Sequence, residues 1–118
     1  MKKIKEVIVV EGTSDVVTLS NLIDADFIIT HGSAISQETL DLIKVANETR
    51  GVIIFTDPDF PGEKIRKTII DYIGDCKHAF VRAKDAKKKK PIEPYLTIIE
   101  MANKRKTSAV VMPARATS

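Results

Sequence analysis

Three short runs rich in β-branched residues, "EVIVV" (6–10), "DFIIT" (26–30) and "GVIIF" (51–55), constrain the fold of this chain more than any other feature. None alternates cleanly between apolar and polar, so each reads as a strand covered on both faces, the condition of a parallel sheet. A fourth, weaker run is "KHAFV" (77–81). Between the runs the apolar spacing is helical. Val16, Leu19, Leu22 and Ile23 share one face behind Ser14 as N-cap, and Leu40 and Ile43 follow Ser36 in the same way. Ile65, Ile69, Tyr72 and Ile73 keep the i, i+4, i+7, i+8 spacing behind Pro61, and Gly74 ends that helix. A last helix is expected from about Glu93, with Tyr95, Ile98, Ile99 and Ala102 inward. This order, β-α-β-α-β-α-β-α with short connections, predicts an α/β domain around a parallel four-stranded sheet with right-handed crossovers. One domain is expected over residues 1–106, followed by a poorly ordered basic tail at 107–118.

The composition agrees with a soluble domain. Hydrophobic residues make up 43% of the 118 positions and charged residues 30%. No apolar stretch approaches the roughly 20 residues of a membrane-spanning helix. The opening "MKKIKEVIVVEG" has the basic start of a signal peptide, but Glu6 interrupts it and no small-residue cleavage site follows. It reads as a first strand of a cytoplasmic protein. Cys76 is the only cysteine, which excludes a disulfide framework and a thiolate zinc site. A net charge of +3 permits a nucleic-acid partner without requiring one.

Three acids stand at strand ends: Glu11 after the first strand, Asp57 and Asp59 after the third. If the strands lie in the order 2-1-3-4, the topology reverses between the first and third, and ligands bind in the crevice at such a switch point. Glu11 would then face Asp57 and Asp59 across it. In an extended segment residues i and i+2 point to the same side, and Pro58 favours that geometry. Carboxylates converging in this way suit Mg²⁺, which binds one or two of them and keeps its remaining places for water and substrate phosphate; Mn²⁺ can substitute. The plainer alternative is that Asp, Pro and Gly form a turn, and that strand-end acids, Asp15 among them, cap helices.

"VVEGTSD" (9–15) and "FTDPDFPG" (55–62) resemble the Glu-Gly and Asp-x-Asp motifs of the Toprim domain. A closer resemblance, over about residues 4 to 82, is to the ribonuclease M-five family, which matures 5S ribosomal RNA. It rests on "GSAI" (32–35), "ETRGVIIFTDPDFPGEKIRK" (48–67) and "CKHAF" (76–80). The likeness implies a Toprim, Rossmann-like sheet of four strands in which Glu11, Asp57 and Asp59 hold the metal and carry catalysis. It further implies a Mg²⁺-dependent phosphodiester hydrolase, an RNA endonuclease. Structured RNA would be its partner, along with a ribosomal protein or a companion domain. Where that family usually has a lysine after Glu-Gly, this chain has Thr13.

Candidate nucleic-acid contacts are Ser33 in the loop before the second helix, Lys64, Arg66 and Lys67 on the third, and the run Lys87, Lys88, Lys89 and Lys90. Each has a plain reading too, as a cap or a solvated side chain. His31 reads as a polar loop residue, and Tyr72 and Tyr95 as core. The rival to the enzyme is a non-catalytic Toprim module that binds nucleic acid or a protein partner in DNA repair or replication.

Overall fold

The computed structural model describes residues 2–81 and 109–112. Its main sheet holds β2 (Val7–Val10), β4 (Phe27–Ile29), β5 (Val52–Thr56), β6 (Lys77–Val81) and β7 (Ala109–Met112). The order is β4-β2-β5-β6-β7, and every pairing is parallel. A small second sheet pairs β1 (Lys2–Lys3) with β3 (Ile23–Asp24), also in parallel. The helices are α1 (Thr13–Ser20), α2 (Gln37–Thr49) and α3 (Phe60–Ile73). Among the described residues no helix is long and apolar enough to cross a membrane.

Strand periodicity divides the core in two. Ile8 and Val10 of β2, with Ile53 and Phe55 of β5, pack with Leu19 of α1 on one face of the sheet. Val7, Val9, Val52 and Ile54 point the other way, against Leu40, Ile43 and Ala46 of α2 and Ile65 and Ile69 of α3. With both faces covered, the strands must be apolar throughout, which is why their sequences do not alternate. The chain runs from β2 outward to β4, then crosses back to β5 and on to β6. The reversal falls between β2 and β5.

The first four sequence runs thus take the expected order. A fifth strand extends the sheet: β7 pairs with β6 from His78↔Ala109 to Val81↔Met112. This corrects the four-stranded expectation, and residues 109–112 of the segment expected to be a poorly ordered tail are a strand. "AVVM" contains two adjacent β-branched valines, and β6 without it would leave a row of backbone groups unpaired.

Local chemistry sets the helix ends. Ser36 caps α2, its Oγ accepting from the Thr39 N–H at 3.2 Å. Gly12, not Ser14, is the N-cap of α1, and Asp15 Oδ2 accepts from the Gly12 N–H at 3.4 Å. The helix stops at Ser20, so Ile23 reaches the core from β3 instead. Tyr72 is not a core residue: it is 37% exposed, and its hydroxyl donates to Asp41 on α2. The helix expected from Glu93, with Tyr95, lies outside the described residues.

Candidate functional site

Where β2 and β5 end side by side, the chain opens into a cleft of about 550 Å³ lined by Glu11, Gly12, Thr13, Ser14, Asp15, His31, Gly32 and Asp57. Each wall has a structural cause. Glu11 is the first residue beyond β2, and its carbonyl accepts from the His31 N–H at 3.0 Å, one step past the Thr30 N–H bond to Val10. The ladder to β4 therefore fixes the backbone of Glu11. His31 sits at φ +60°, in the left-handed region that non-glycine residues seldom occupy, and Gly32 follows at +106°. This turn brings His31 to the cleft. Gly12, Thr13 and Ser14 supply the start of α1, whose first N–H groups and macrodipole favour an anion.

Asp57 is the first residue beyond β5. The segment that carries it is pinned to α3 in several places. Asp59 is the N-cap of α3, its Oδ1 accepting from the Gly62 N–H at 2.7 Å. Thr56 Oγ1 donates to the Gly62 carbonyl at 3.2 Å. Gly62 is required by space: a Cβ there would lie 2.0 Å from the Asp57 carbonyl oxygen. The strand-turn-helix "FTDPDFPG" is closed by this near contact of backbone on backbone.

The structure therefore brings Glu11 and Asp57 to one cleft, as their strand-end positions imply. Asp59 has a different setting, with one carboxylate oxygen committed to the helix cap. Asp15, which sequence reasoning left as a cap, caps and also lines the cleft, adding an acid to its wall. Its place three residues into a helix that follows a strand-end acid was the signal for it. Among the described residues, no three His, Cys, Asp or Glu side chains are gathered as a ready-made metal cage. The carboxylates and hydroxyls of the cleft are oxygen donors, which suit a hard cation that keeps several waters and takes one or two protein carboxylates, and His31 adds an imidazole to the wall.

The predicted nucleic-acid contacts fall into four sets. Lys64 and Lys67 are exposed on α3, and Lys67 pairs with Asp71 at 3.4 Å. Ser33 is half-buried in the loop before α2. Lys87 to Lys90 lie outside the described residues. Arg66 corrects the expectation of a surface contact, being only 3% exposed. It follows Ile65 on the face of α3 that packs on the sheet, so its guanidinium meets β5 and β6. There it donates to the carbonyls of Ile54 at 3.3 Å and Thr56 at 3.0 Å, and to that of Ala79. Its Nη1 also lies 3.0 Å from His78 Nδ1.

Burial pushes the Arg66 guanidinium down to about 10, against the opposing pull of Glu63, Cys76 and Asp57, so it remains a cation at neutral pH. Burial, and then the Arg66 charge, lower the His78 pKa below its ordinary value. His78 is thus neutral, with Nδ1 accepting from Arg66 and the ring proton on Nε2, 3.9 Å from Cys76 Sγ. Burial raises the Cys76 thiol to about 11, so it stays protonated and unreactive.

The Toprim domain family model matches residues 6–88. Ribonuclease M5 of Bacillus subtilis (strain 168) is 58% identical over 87 residues, covering 74% of this chain and 47% of that protein. Ribonuclease M5 of Bacillus cereus is 53% identical over 92 residues, 76% of this chain and 49% of that protein. Ribonuclease M5 of Listeria monocytogenes is 58% identical over 83 residues, 70% of this chain and 44% of that protein. The chain spans about half the length of the curated relatives it matches. The matched region holds β2, β4, β5 and β6 together with every wall of the acidic cleft, and the chain belongs to the Toprim family.

Proposed function

We propose that this Toprim domain serves the hydrolysis of phosphodiester bonds in structured RNA with Mg²⁺ as its cation, the activity of the 5S ribosomal RNA maturases it resembles. The observation that carries the reading is that Glu11 and Asp57, from neighbouring strands at the topological switch point, line a single cleft. In this reading Glu11 and Asp57 hold the cation, and Asp59 adds negative charge from the start of α3. When bound, the cation offsets charge developing on the phosphoryl group and lowers the pKa of a water. Thr13, Ser14 and the first N–H groups of α1 meet a phosphate oxygen, the task a lysine would otherwise take. Glu11 has a second role open to a carboxylate in that position, accepting the proton of the attacking water. Lys64 on α3 and the run Lys87–Lys90 supply cations for the RNA backbone, and Ser33 a hydroxyl.

A second reading, a Toprim module that binds nucleic acid or protein without catalysis, is favoured by one observation: Asp59 is engaged as a cap. One experiment separates the two. The chain is titrated with Mg²⁺ and Mn²⁺ by residue-resolved NMR, and a 5S ribosomal RNA precursor is then incubated with the loaded protein. Saturable shifts at Glu11 and Asp57, with cleavage lost in Asp57→Asn, support the nuclease. RNA binding without cleavage supports the module, and no cation binding with or without RNA overturns the nuclease reading.

A further inference from the structure

The buried cation under the strand ends has a role that burial alone does not explain. Arg66 bonds to carbonyls on two strands, Ile54 and Thr56 of β5 and Ala79 of β6. The Thr56 carbonyl belongs to the same rigid peptide plane as the Asp57 N–H. A bond to that oxygen therefore fixes the plane from which Asp57 departs. The hydroxyl of the same Thr56 is held by the Gly62 carbonyl one turn earlier on α3. Asp57 consequently follows a residue whose carbonyl and hydroxyl are both held by a single helix. The neutral His78 accepts from the guanidinium through Nδ1 and helps to orient it.

We propose that Arg66 is a positioning residue of the acidic cleft, aligning Asp57 for a divalent cation by holding the Thr56 carbonyl at the end of β5 and bracing it against β6. The inference rests on the cation reading given under Proposed function. It concerns geometry, and geometry and charge make opposite predictions here. The field of Asp57 acts on Arg66, so the two are in electrostatic reach. If Arg66 acted only through its charge, removing that charge would strengthen the binding of a cation nearby. If it acts by holding Asp57 in place, removing it weakens binding in spite of the lost repulsion. An ammonium at the same position keeps the charge, but it is a compact point charge without the planar fork that spans two strands.

The test is Mn²⁺ affinity, read from the free-ion electron paramagnetic resonance signal, for wild type, Arg66→Met and Arg66→Lys. Both variants are expected to bind about 10- to 100-fold more weakly, the usual effect of losing a group that orients a ligand. Their amide spectra should remain native in α2 and β4 and move at Thr56 and Asp57. Unchanged or tighter binding by Arg66→Met, or wild-type affinity in Arg66→Lys, overturns the proposal. Should Arg66→Met not fold, Arg66→Lys decides. Wild type offers an independent reading, because coupling is reciprocal: added Mg²⁺ should slow solvent exchange of the Arg66 guanidinium protons. Exchange unaffected by saturating Mg²⁺ counts against it. A wild type that binds no cation defeats the parent reading and this inference with it, whereas a wild type that binds with variants unaffected defeats this inference alone.

Discussion

The α-carbon of Gly62 lies so close to Asp57 that a methyl group on it would fall 2.0 Å from the Asp57 carbonyl oxygen, and 2.9 Å from Asp59 Oδ1. No real Cβ tolerates such a contact with backbone. The glycine in "DPDFPG" is thus what lets α3 begin immediately beneath the acidic turn.

Substituting Gly62→Ala should therefore move the turn or the helix. The expected loss is about 1–3 kcal/mol, the range for an overpacked interior site. Urea denaturation measures it. The amide signals of Asp57 and Asp59 should shift more than any in α2. A variant as stable as wild type with an unmoved Asp57 would show that Gly62 is not what holds the turn against α3.

Asp59 is open to a clean separation of cap from charge. Asp59→Asn keeps a side-chain oxygen for the Gly62 N–H, and its stability should lie within about 0.5 kcal/mol of wild type, whereas Asp59→Ala should lose about 1 kcal/mol. Mn²⁺ binding should weaken in Asp59→Asn, and less than in Asp57→Asn. Equal binding in Asp59→Asn and wild type would confine Asp59 to the cap.

At the opposite end of the sheet, Lys77 and Glu6 form an ion pair at 2.5 Å with both side chains largely withdrawn from water. Glu6 Oε1 is buried with no hydrogen-bond partner among the described residues. Lys77→Met should destabilise by about 3–5 kcal/mol, because it strands a buried carboxylate, and adding Glu6→Gln should restore much of the loss. The folded variant should bind cation as wild type does, since the pair sits at the amino ends of β2 and β6, away from the cleft. Equal stability of single and double variants would disprove the stranding argument.

Stability should have a plateau in pH bounded by two groups near Arg66. His78 titrates lower in the folded chain than its ordinary 6.5, so the unfolded chain takes up the proton first. Its contribution is complete above about pH 6.5 and declines as pH falls below that. Cys76 is raised from 9.0 to about 11, so its contribution is complete below pH 9.0 and declines as pH rises toward 11. Denaturation midpoints across pH should show both limbs, and Cys76→Ala should flatten the alkaline one. An alkaline limb unchanged in that variant would assign it to other groups.

Much of this was legible in the sequence, for identifiable reasons. The strands were, because a sheet covered on both faces demands unbroken runs such as "GVIIF". Glu11 and Asp57 were, because position at the end of a parallel strand is already a statement about location. Asp59 keeps the extended backbone that the i, i+2 argument assumes, but its Oδ1 also caps α3 at the Gly62 N–H, a contact that strand-end position does not express. Arg66 reads as a surface residue in the sequence because an arginine on a helix normally is. The juxtaposed carbonyls of Ile54, Thr56 and Ala79, with His78, help make its burial affordable, and their convergence does not show in the sequence. Tyr72 keeps apolar spacing yet finds hydrogen-bond partners in Asp41 and Gln37, a choice periodicity cannot express.

The fifth strand bears on how the molecule is made. β7 is the last described strand, and its partner β6 ends at Val81, so synthesis delivers the edge of β6 to the cell long before its neighbour. Every described residue that lines the cleft, through Asp57, is made first. On a translating ribosome the frame of the cleft can assemble while the sheet still has an open margin. That interval, rather than the finished fold, is when this chain is most exposed to pairing with the wrong strand.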